Sequence, residues 1–175
     1  MSDERSNTPD GIADEHVEPR AALHRHACPL SLLVLATVVV LGLSGLLGRE
    51  RSWQADANGA QLLIHSSEIV RNGEFFEMRM HVVAVDPIDE LRIEVDASLW
   101  EDMTVNTMIP AAAEEESADG AFAFTFAELP VGQAFDMKVD LQVNPDIVGS
   151  NPGAVRVLDA GELLVEIPIE ITVLP

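Results

Sequence analysis

Strict alternation of apolar and polar residues runs through the second half of the chain and limits the folds open to it. In the segment from 75 to 85, Met78 and Met80 fall on one side of an extended chain. Arg79 and His81 fall on the other side, because successive side chains of a strand point in opposite directions. This period of two residues predicts a half-buried β-strand and excludes an amphipathic helix here.

The same alternation recurs in short segments that are separated by glycine, proline and asparagine. We predict strands at 75–85, 91–96, 122–126, 135–143 and 163–173, with weaker candidates at 61–65, 103–109 and 154–158. Strands with one apolar face each need a second sheet to cover that face. The predicted fold class is therefore all-β, an immunoglobulin-like (Ig-like) two-sheet antiparallel sandwich of about 7–8 strands.

Two residues give finer expectations within this sandwich. Pro168 has no backbone N–H for a sheet ladder, so its strand is expected at a sheet edge or beside a bulge. If the domain is Ig-like, Trp100 would correspond to the core tryptophan of that fold, although it follows a predicted strand and does not lie within it.

A different pattern marks the segment from 30 to 48, which has 19 consecutive residues without a charge. A helix of this length is roughly 28 Å long, close to the hydrocarbon thickness of a bilayer. A surface helix keeps one polar face, and this segment has none. We therefore predict one transmembrane helix before the sandwich. A cleaved signal peptide is the alternative, because Ala55-Asp56-Ala57 has the small-x-small form of a cleavage site.

The chain is thus predicted to have four parts. They are a disordered acidic tail at 1–29, the transmembrane helix at 30–48, a linker at 49–59 and the Ig-like domain at 60–175. Arginines flank the helix equally, so the orientation depends on the usual arrangement of a short tail before a signal anchor. This arrangement predicts a single-pass protein of the cell membrane with a cytoplasmic N-terminus and an extracytoplasmic C-terminal domain.

One family resemblance supports this fold. The stretch GAFAFTFAELPVGQAFDMKVDLQVNP (120–145) is followed by a glycine-containing loop and a closing apolar strand. This succession resembles the end of bacterial Ig-like repeats of the CARDB and DUF11 kind, and the resemblance covers roughly residues 60–175. It implies an Ig-like sandwich and assigns no functional residue.

Charge excludes some partners and favours others. Residues 52–175 contain 23 acidic and five basic residues, so this region carries −18 of the chain's net charge of −20. Such a surface repels nucleic acid and anionic lipid, and it attracts cations or a basic protein. The single cysteine excludes a disulfide scaffold.

No residue pattern indicates an enzyme or a cofactor. A histidine, two serines and a glutamate are adjacent at 65–68, but neighbours in sequence do not by themselves form a catalytic triad. We therefore predict no catalytic residue and no cofactor.

Two groups of residues are candidate metal ligands. Met78, Met80 and His81 have the thioether and imidazole groups that suit copper, although alternation places His81 opposite the methionines. Four carboxylates in an expected turn have the oxygen ligands that suit a hard cation such as calcium. They are Glu114, Glu115, Glu116 and Asp119.

These features favour a non-enzymatic, membrane-anchored, extracytoplasmic β-sandwich that serves as a protein-interaction or accessory module of a membrane or envelope complex. The alternative is a metal-handling (copper) assembly factor for a membrane enzyme, which requires the methionines and the histidine to converge. The expected partner is an unidentified basic protein. Ser44 and Gly48 form a small-residue pair that would also permit a weak helix-mediated homodimer.

Overall fold

The computed structural model describes residues 22–44, 50–145 and 148–175. The chain divides into two compact units, Met1–Leu46 and Leu47–Pro175. Among the described residues, the first unit contains helix α1 (Ala22–Leu43) and the second contains eleven strands. The strands are β1 (Glu50–Ala57), β2 (Ala60–Ser67), β3 (Ile69–Arg71), β4 (Phe75–Ala84), β5 (Leu91–Asp96), β6 (Met103–Ile109), β7 (Glu114–Ala118), β8 (Ala121–Thr125), β9 (Ala134–Val143), β10 (Gly149–Asp159) and β11 (Glu162–Leu174).

Helix α1 begins earlier than the sequence predicts. Residues 22–29, assigned above to a disordered tail, are helical, and the alanines and leucine of this stretch are strong helix formers. Residues 30–43 of the predicted membrane helix belong to α1, whereas residues 1–21 and 45–49 lie outside the described residues. In the part of the chain that the structure describes, no helix combines the length and the hydropathy required for a membrane crossing. The membrane anchor and the Ser44–Gly48 dimer seam therefore stay predictions.

The strands form the predicted two-sheet sandwich. One sheet has five strands in the order β1-β2-β4-β9-β6, and the other has six in the order β3-β11-β10-β5-β8-β7. Neighbouring strands are antiparallel, except that β3 runs parallel to the last three residues of β11. Within the described residues the sandwich has eleven strands, more than the 7–8 expected.

The core lies between the sheets and follows the predicted alternation. On β4, Met78 and Met80 are fully buried, whereas Arg79 and His81 between and beside them are not. On β11, the buried side chains alternate with exposed glutamates and Pro168. The buried set on β11 comprises Val165, Ile167, Ile169, Ile171 and Val173. Trp100 is only 3% exposed, so its predicted place in the core is confirmed.

Three strands, β1, β3 and β7, lie where the sequence analysis places none. Strand β1 occupies residues assigned to a linker, and β7 occupies the acidic run assigned to a turn. Most side chains of β1 and all those of β7 are exposed, so neither has an apolar face that would produce alternation. Strand β3 has only three residues, which is too short for any period to show.

Within the described residues, Pro168 lies in a part of β11 that is unpaired on one side, although β3 and not β11 is the last strand of the sheet. Its strand β11 pairs with β10, where Pro168 lies opposite Ala154. On the other side, the parallel partner β3 pairs only with Thr172 to Leu174. Among the described residues, the strand around Pro168 therefore has no second partner that would need its missing N–H. A register shift also interrupts the pairing with β10, between Val157 and Leu158.

Gly153 of β10 packs directly beneath the turn that carries Trp100. A Cβ at this position would lie 2.8 Å from Leu99 Cβ and 3.2 Å from the Leu99 backbone nitrogen. We expect Gly153→Ala to lower the free energy of unfolding by about 1–3 kcal/mol, because the backbone must move to admit the methyl group. Urea denaturation measures the loss. Pro152→Ala, at the exposed neighbouring position, should cost less than about 1 kcal/mol, and equal losses would contradict the close approach.

Candidate functional site: a groove between two sheet edges

One side of the sandwich is open, because two consecutive strands end different sheets there. Strand β6 is the last strand of the five-stranded sheet, and β7 is the last strand of the six-stranded sheet. A cavity of about 370 Å³ opens beside them, and we call it the β6–β7 groove. Its lining includes Trp100, Met103, Met108, Glu115, Phe122 and Phe124.

The deep part of the groove is an aromatic cluster. The ring centroid of Trp100 lies 6.0 Å from that of Phe122, with the planes 25° apart. The centroid of Phe124 is also 6.0 Å from that of Trp100, at 45°. Phe122 and Phe124 alternate with Ala123 on β8, so the predicted period of two places both rings on the same side of the sheet. The cluster forms a rigid apolar surface on which a ligand can pack.

Trp100 also carries a hydrogen-bond donor that is not satisfied. Its indole Nε1 is buried and has no acceptor among the described residues. A buried donor without a partner costs about 1–3 kcal/mol, and tryptophan N–H groups in protein interiors usually have one. Trp100 therefore contributes an apolar ring to the groove and carries one buried donor without an acceptor in the part of the chain that the structure describes.

The rim of the groove is polar and acidic. Asn106 and Thr107 of β6 and Glu115 of β7 line it and are exposed. Asn106 lies at a register shift of the β6–β9 pairing, and a bulge of this kind is common on edge strands.

Glu115 also lines a second cavity, of about 450 Å³, together with Glu114, Glu116 and Arg92. Glu116 Oε2 accepts a hydrogen bond from Arg92 Nη2 at 3.0 Å, and Glu94 Oε1 accepts one from Arg92 Nε at 2.9 Å. The bond from Glu116, followed by that from Glu94, raises the pKa of Arg92 above its usual value. In the described residues, Glu114 and Glu115 have no cationic partner, so negative charge remains uncompensated at the rim.

The open side continues past the groove. Ala111, in the loop between β6 and β7, also lines a third cavity of about 300 Å³. Phe126 and Phe135 line this cavity, and their ring centroids are 4.5 Å apart. An extended ligand along this side would therefore meet a second aromatic surface.

The structure separates the predicted copper ligands. Met78 and Met80 point into the core, whereas His81 lies on the outer face, where its Nδ1 is 2.7 Å from Asp136 Oδ1. Thioether and imidazole groups on opposite faces of one strand do not converge on one ion. No group of three or more histidine, cysteine, aspartate or glutamate side chains within the described ranges is arranged to hold a metal ion. The predicted calcium ligands Glu114, Glu115 and Glu116 lie on β7, and Asp119 occupies the β7–β8 turn.

The histidine-containing segment at 65–68 also divides between faces. His65 is exposed, and its Nδ1 is 2.7 Å from Ser52 Oγ on β1. Ser66 is buried, and its Oγ has no partner among the described residues. Glu68 pairs with Arg51. The hydroxyl of Ser66, the imidazole of His65 and the carboxylate of Glu68 therefore do not form a triad.

Most basic side chains of the sandwich are neutralised locally. Arg156 forms a bidentate contact with Asp96, at 2.6 Å and 3.4 Å, and also pairs with Glu166. Arg51, Arg79, Arg92 and Lys138 also contact carboxylates. The remaining acidic groups therefore dominate the outward charge.

The pair of Lys138 and Glu77 predicts a pH dependence of the stability of the domain. The hydrogen bond from Lys138 lowers the pKa of Glu77 from 4.5, with Arg79 contributing. A carboxyl group with a lowered pKa stabilises the fold above 4.5, and this stabilisation is lost as the pH falls through the folded-state pKa. We expect Glu77→Gln to lower the melting temperature at neutral pH, and the difference to vanish well below 4.5.

Thermal denaturation across a pH series checks this expectation. Glu162→Gln is the control, because Glu162 is exposed on β11 and has no ion-pair partner within the described part of the chain. A deficit of Glu77→Gln that persisted at acid pH would contradict the assignment.

Comparisons with known proteins bear on the sandwich. No protein-family model matches the chain, and no characterised protein matches it in sequence. The CARDB and DUF11 resemblance therefore stays a prediction. The structure is similar to a chain of the crystal structure of a CaDoc0917–CaCohA2 complex, with 17% identity and a TM-score of 0.39, covering 59% of this chain and 92% of that one. It is also similar to the solution structure of CaCohA2 from Clostridium acetobutylicum, with 18% identity and a TM-score of 0.39, covering 59% and 83% of the two chains.

Proposed function

We propose that this protein is a non-enzymatic, membrane-anchored interaction module that holds a basic partner protein in a membrane or envelope complex. The observation that carries the proposal is the open side of the sandwich, where two edge strands flank an apolar groove with an acidic rim. Edge strands are sites at which a second chain can add to a sheet.

The charge distribution supports a basic partner. Residues 52–175 carry a net charge of −18, and four of their five basic side chains already contact carboxylates. A field of one sign accelerates encounter with oppositely charged partners and repels nucleic acid. Association with the partner should therefore weaken as ionic strength rises.

A non-enzymatic role agrees with the positions of the histidines. His65 is next to Ser52, and His81 is next to Asp136. Both contacts lie on the outer face of the five-stranded sheet and outside the β6–β7 groove. His65 lines a cavity of about 160 Å³ together with Ser66 and Glu77, but the Ser66 hydroxyl is buried and has no hydrogen bond to the imidazole. A catalytic site would require a nucleophile, a base and a binding cavity to converge.

The anchor and its orientation are part of the proposal. The uncharged segment at 30–48 supports the anchor, and the usual arrangement of a short tail before a signal anchor supports the orientation. Alkaline carbonate extraction should leave the full-length protein in the membrane pellet, and Leu35→Arg should release it. External protease should degrade the sandwich in intact cells. Extraction of the unmodified protein, or full protection of the sandwich, would overturn this part.

Crosslinking in native membranes tests the interaction. The full-length protein, crosslinked and purified at low ionic strength, should carry one partner in constant ratio, and mass spectrometry should identify a basic segment in it. Omitting the crosslinker and raising the ionic strength should release the partner. Recovery of the protein alone, or of an acidic partner that resists salt, would contradict the proposal.

A further inference from the structure

We propose that the β6–β7 groove binds an extended peptide segment of the partner, with an apolar side chain on the aromatic cluster and a basic side chain beside Glu115. This inference rests on the proposed function and names the site through which the module acts. The argument combines backbone, apolar and charge contacts that all occur on the open side.

The backbone of the groove can pair with an added strand. Strand β6 pairs with β9 on one side, and β7 pairs with β8 on one side. Among the described residues, β6 and β7 have no sheet partner on their opposite sides, so their outward N–H and C=O groups are open to strand addition. The side chains of an added strand alternate, so every second one would point towards the groove.

The aromatic cluster selects an apolar anchor. Val105 is 43% exposed at the mouth of the groove, and Met103 and Met108 are half-buried on its wall. Unbranched methionine side chains rearrange readily around different apolar groups. A leucine, isoleucine or methionine of the peptide would cover Val105 and contact Phe122.

The unsatisfied indole of Trp100 selects a hydrogen-bond acceptor. The Nε1 atom is covered in the free protein, so the proposed contact requires the side chains around Trp100 to rearrange. A backbone carbonyl of the bound peptide would accept this hydrogen bond, because every residue of an extended segment presents one. Binding would thereby satisfy a donor that is unpartnered in the free protein.

Charge favours a basic peptide over a second copy of this chain as the ligand of the groove. Glu114 and Glu115 have no cationic partner in the described part of the chain, and Glu115 lies at the rim. A lysine or arginine next to the apolar anchor would therefore be attracted. A second copy of this chain would bring another −20 of charge to the same place, which disfavours self-association.

The two tryptophans provide the experiment, since Trp53 lies on β1 at the opposite edge of the five-stranded sheet. The probe is a short capped peptide of alternating lysine and leucine, added to ¹⁵N-labelled full-length protein in detergent micelles. The indole N–H resonance of Trp100 should shift downfield on saturation, and that of Trp53 should not move. A glutamate–leucine peptide is the charge control and should leave both resonances in place.

Two variants locate the contacts. Glu115→Lys, at an exposed edge position, should weaken peptide binding by about tenfold or more, whereas Glu162→Lys should not, because β11 is three strands from β8. Trp100→Phe keeps an aromatic ring and removes the donor, so a loss of about 3- to 10-fold is expected. Melting temperatures report whether each variant is folded.

The outcomes separate this inference from the proposed function. Peptide binding in the β6–β7 groove would be contradicted by a shift of the Trp53 resonance alone or by no shift of either indole. Equal effects of Glu115→Lys and Glu162→Lys would also contradict it. If the native partner were still captured by Glu115→Lys, the interaction function would stand and the groove would fail. If no partner were captured by the unmodified protein, the proposed function itself would fail.

Discussion

Leu141→Ala should lower the free energy of unfolding of the sandwich by about 2–5 kcal/mol. Leu141 is fully buried on β9, between Phe76 on β4 and Val105 on β6. Truncation removes apolar contacts and leaves a cavity that a close-packed interior refills only in part. Denaturant unfolding followed by tryptophan fluorescence measures the loss as a lower midpoint at constant slope.

Leu163→Ala is the matched control for this variant. Leu163 is 45% exposed near the start of β11, so the same change of side chain should cost less than about 1 kcal/mol. A similar loss for both leucines would contradict the assignment of buried and exposed positions.

Met80→Lys should prevent the sandwich from folding at neutral pH. Met80 is 1% exposed on β4, and an ammonium group there would have to lose its charge or its burial. Full burial lowers the pKa of a lysine by up to about 3–5 units, so the side chain would have to be neutral at pH 7, which costs roughly 4–5 kcal/mol. The lost packing of the methionine adds to this cost, and the sum approaches the whole stability of a typical domain, about 5–15 kcal/mol. Near-UV circular dichroism should show the loss of fixed packing, with partial recovery at alkaline pH.

His81→Lys tests the neighbouring position on the opposite face. His81 contacts Asp136 on the outside of the sheet, so a lysine there can remain solvated beside a carboxylate. This variant should fold with nearly unchanged stability. A normally folded Met80→Lys at neutral pH would contradict the core position of Met80, and with it the separation of the methionines from His81.

The strands that the sequence predicts are those whose two faces meet different environments. Strands β4 and β11 alternate because one face packs in the core and the other meets solvent. Most side chains of β1 and all those of β7 are exposed. Their sequences therefore show no alternation of apolar and polar residues. Turn chemistry does identify them. Asn58-Gly59 after β1 and Asp119-Gly120 before β8 have positive φ at both residues, the signature of two-residue hairpins.

The candidate site was less accessible to sequence reasoning than the fold. The sequence indicates that Trp100 is buried, but its unpaired N–H depends on which acceptors the turn and two sheets bring near it. The groove likewise depends on β6 and β7 being terminal strands of different sheets. Sheet order is set by long-range pairing, which a local pattern does not record. The acidic run was visible in the sequence, but its position on an edge strand was not.

The acidic edge has a second consequence. Charged side chains and bulges on edge strands discourage uncontrolled strand addition. Both features occur on the open side, because β7 carries exposed glutamates and β6 has a bulge at Asn106. A peptide segment that carries positive charge can still bind in the groove, because its charge compensates that of the glutamates. The same residues therefore disfavour self-association and favour a basic partner, which is how specificity arises from repulsion as well as attraction.

Site-specific photocrosslinking in native membranes tests the central claim most directly. A photoreactive amino acid placed at Thr107, on the rim of the groove, is compared with one placed at Glu162, on β11. The account predicts an adduct from position 107 whose crosslinked peptide, read by mass spectrometry, is an extended apolar segment with lysine or arginine, and no adduct from position 162. An adduct from position 162 alone, or an acidic crosslinked peptide at position 107, would contradict it.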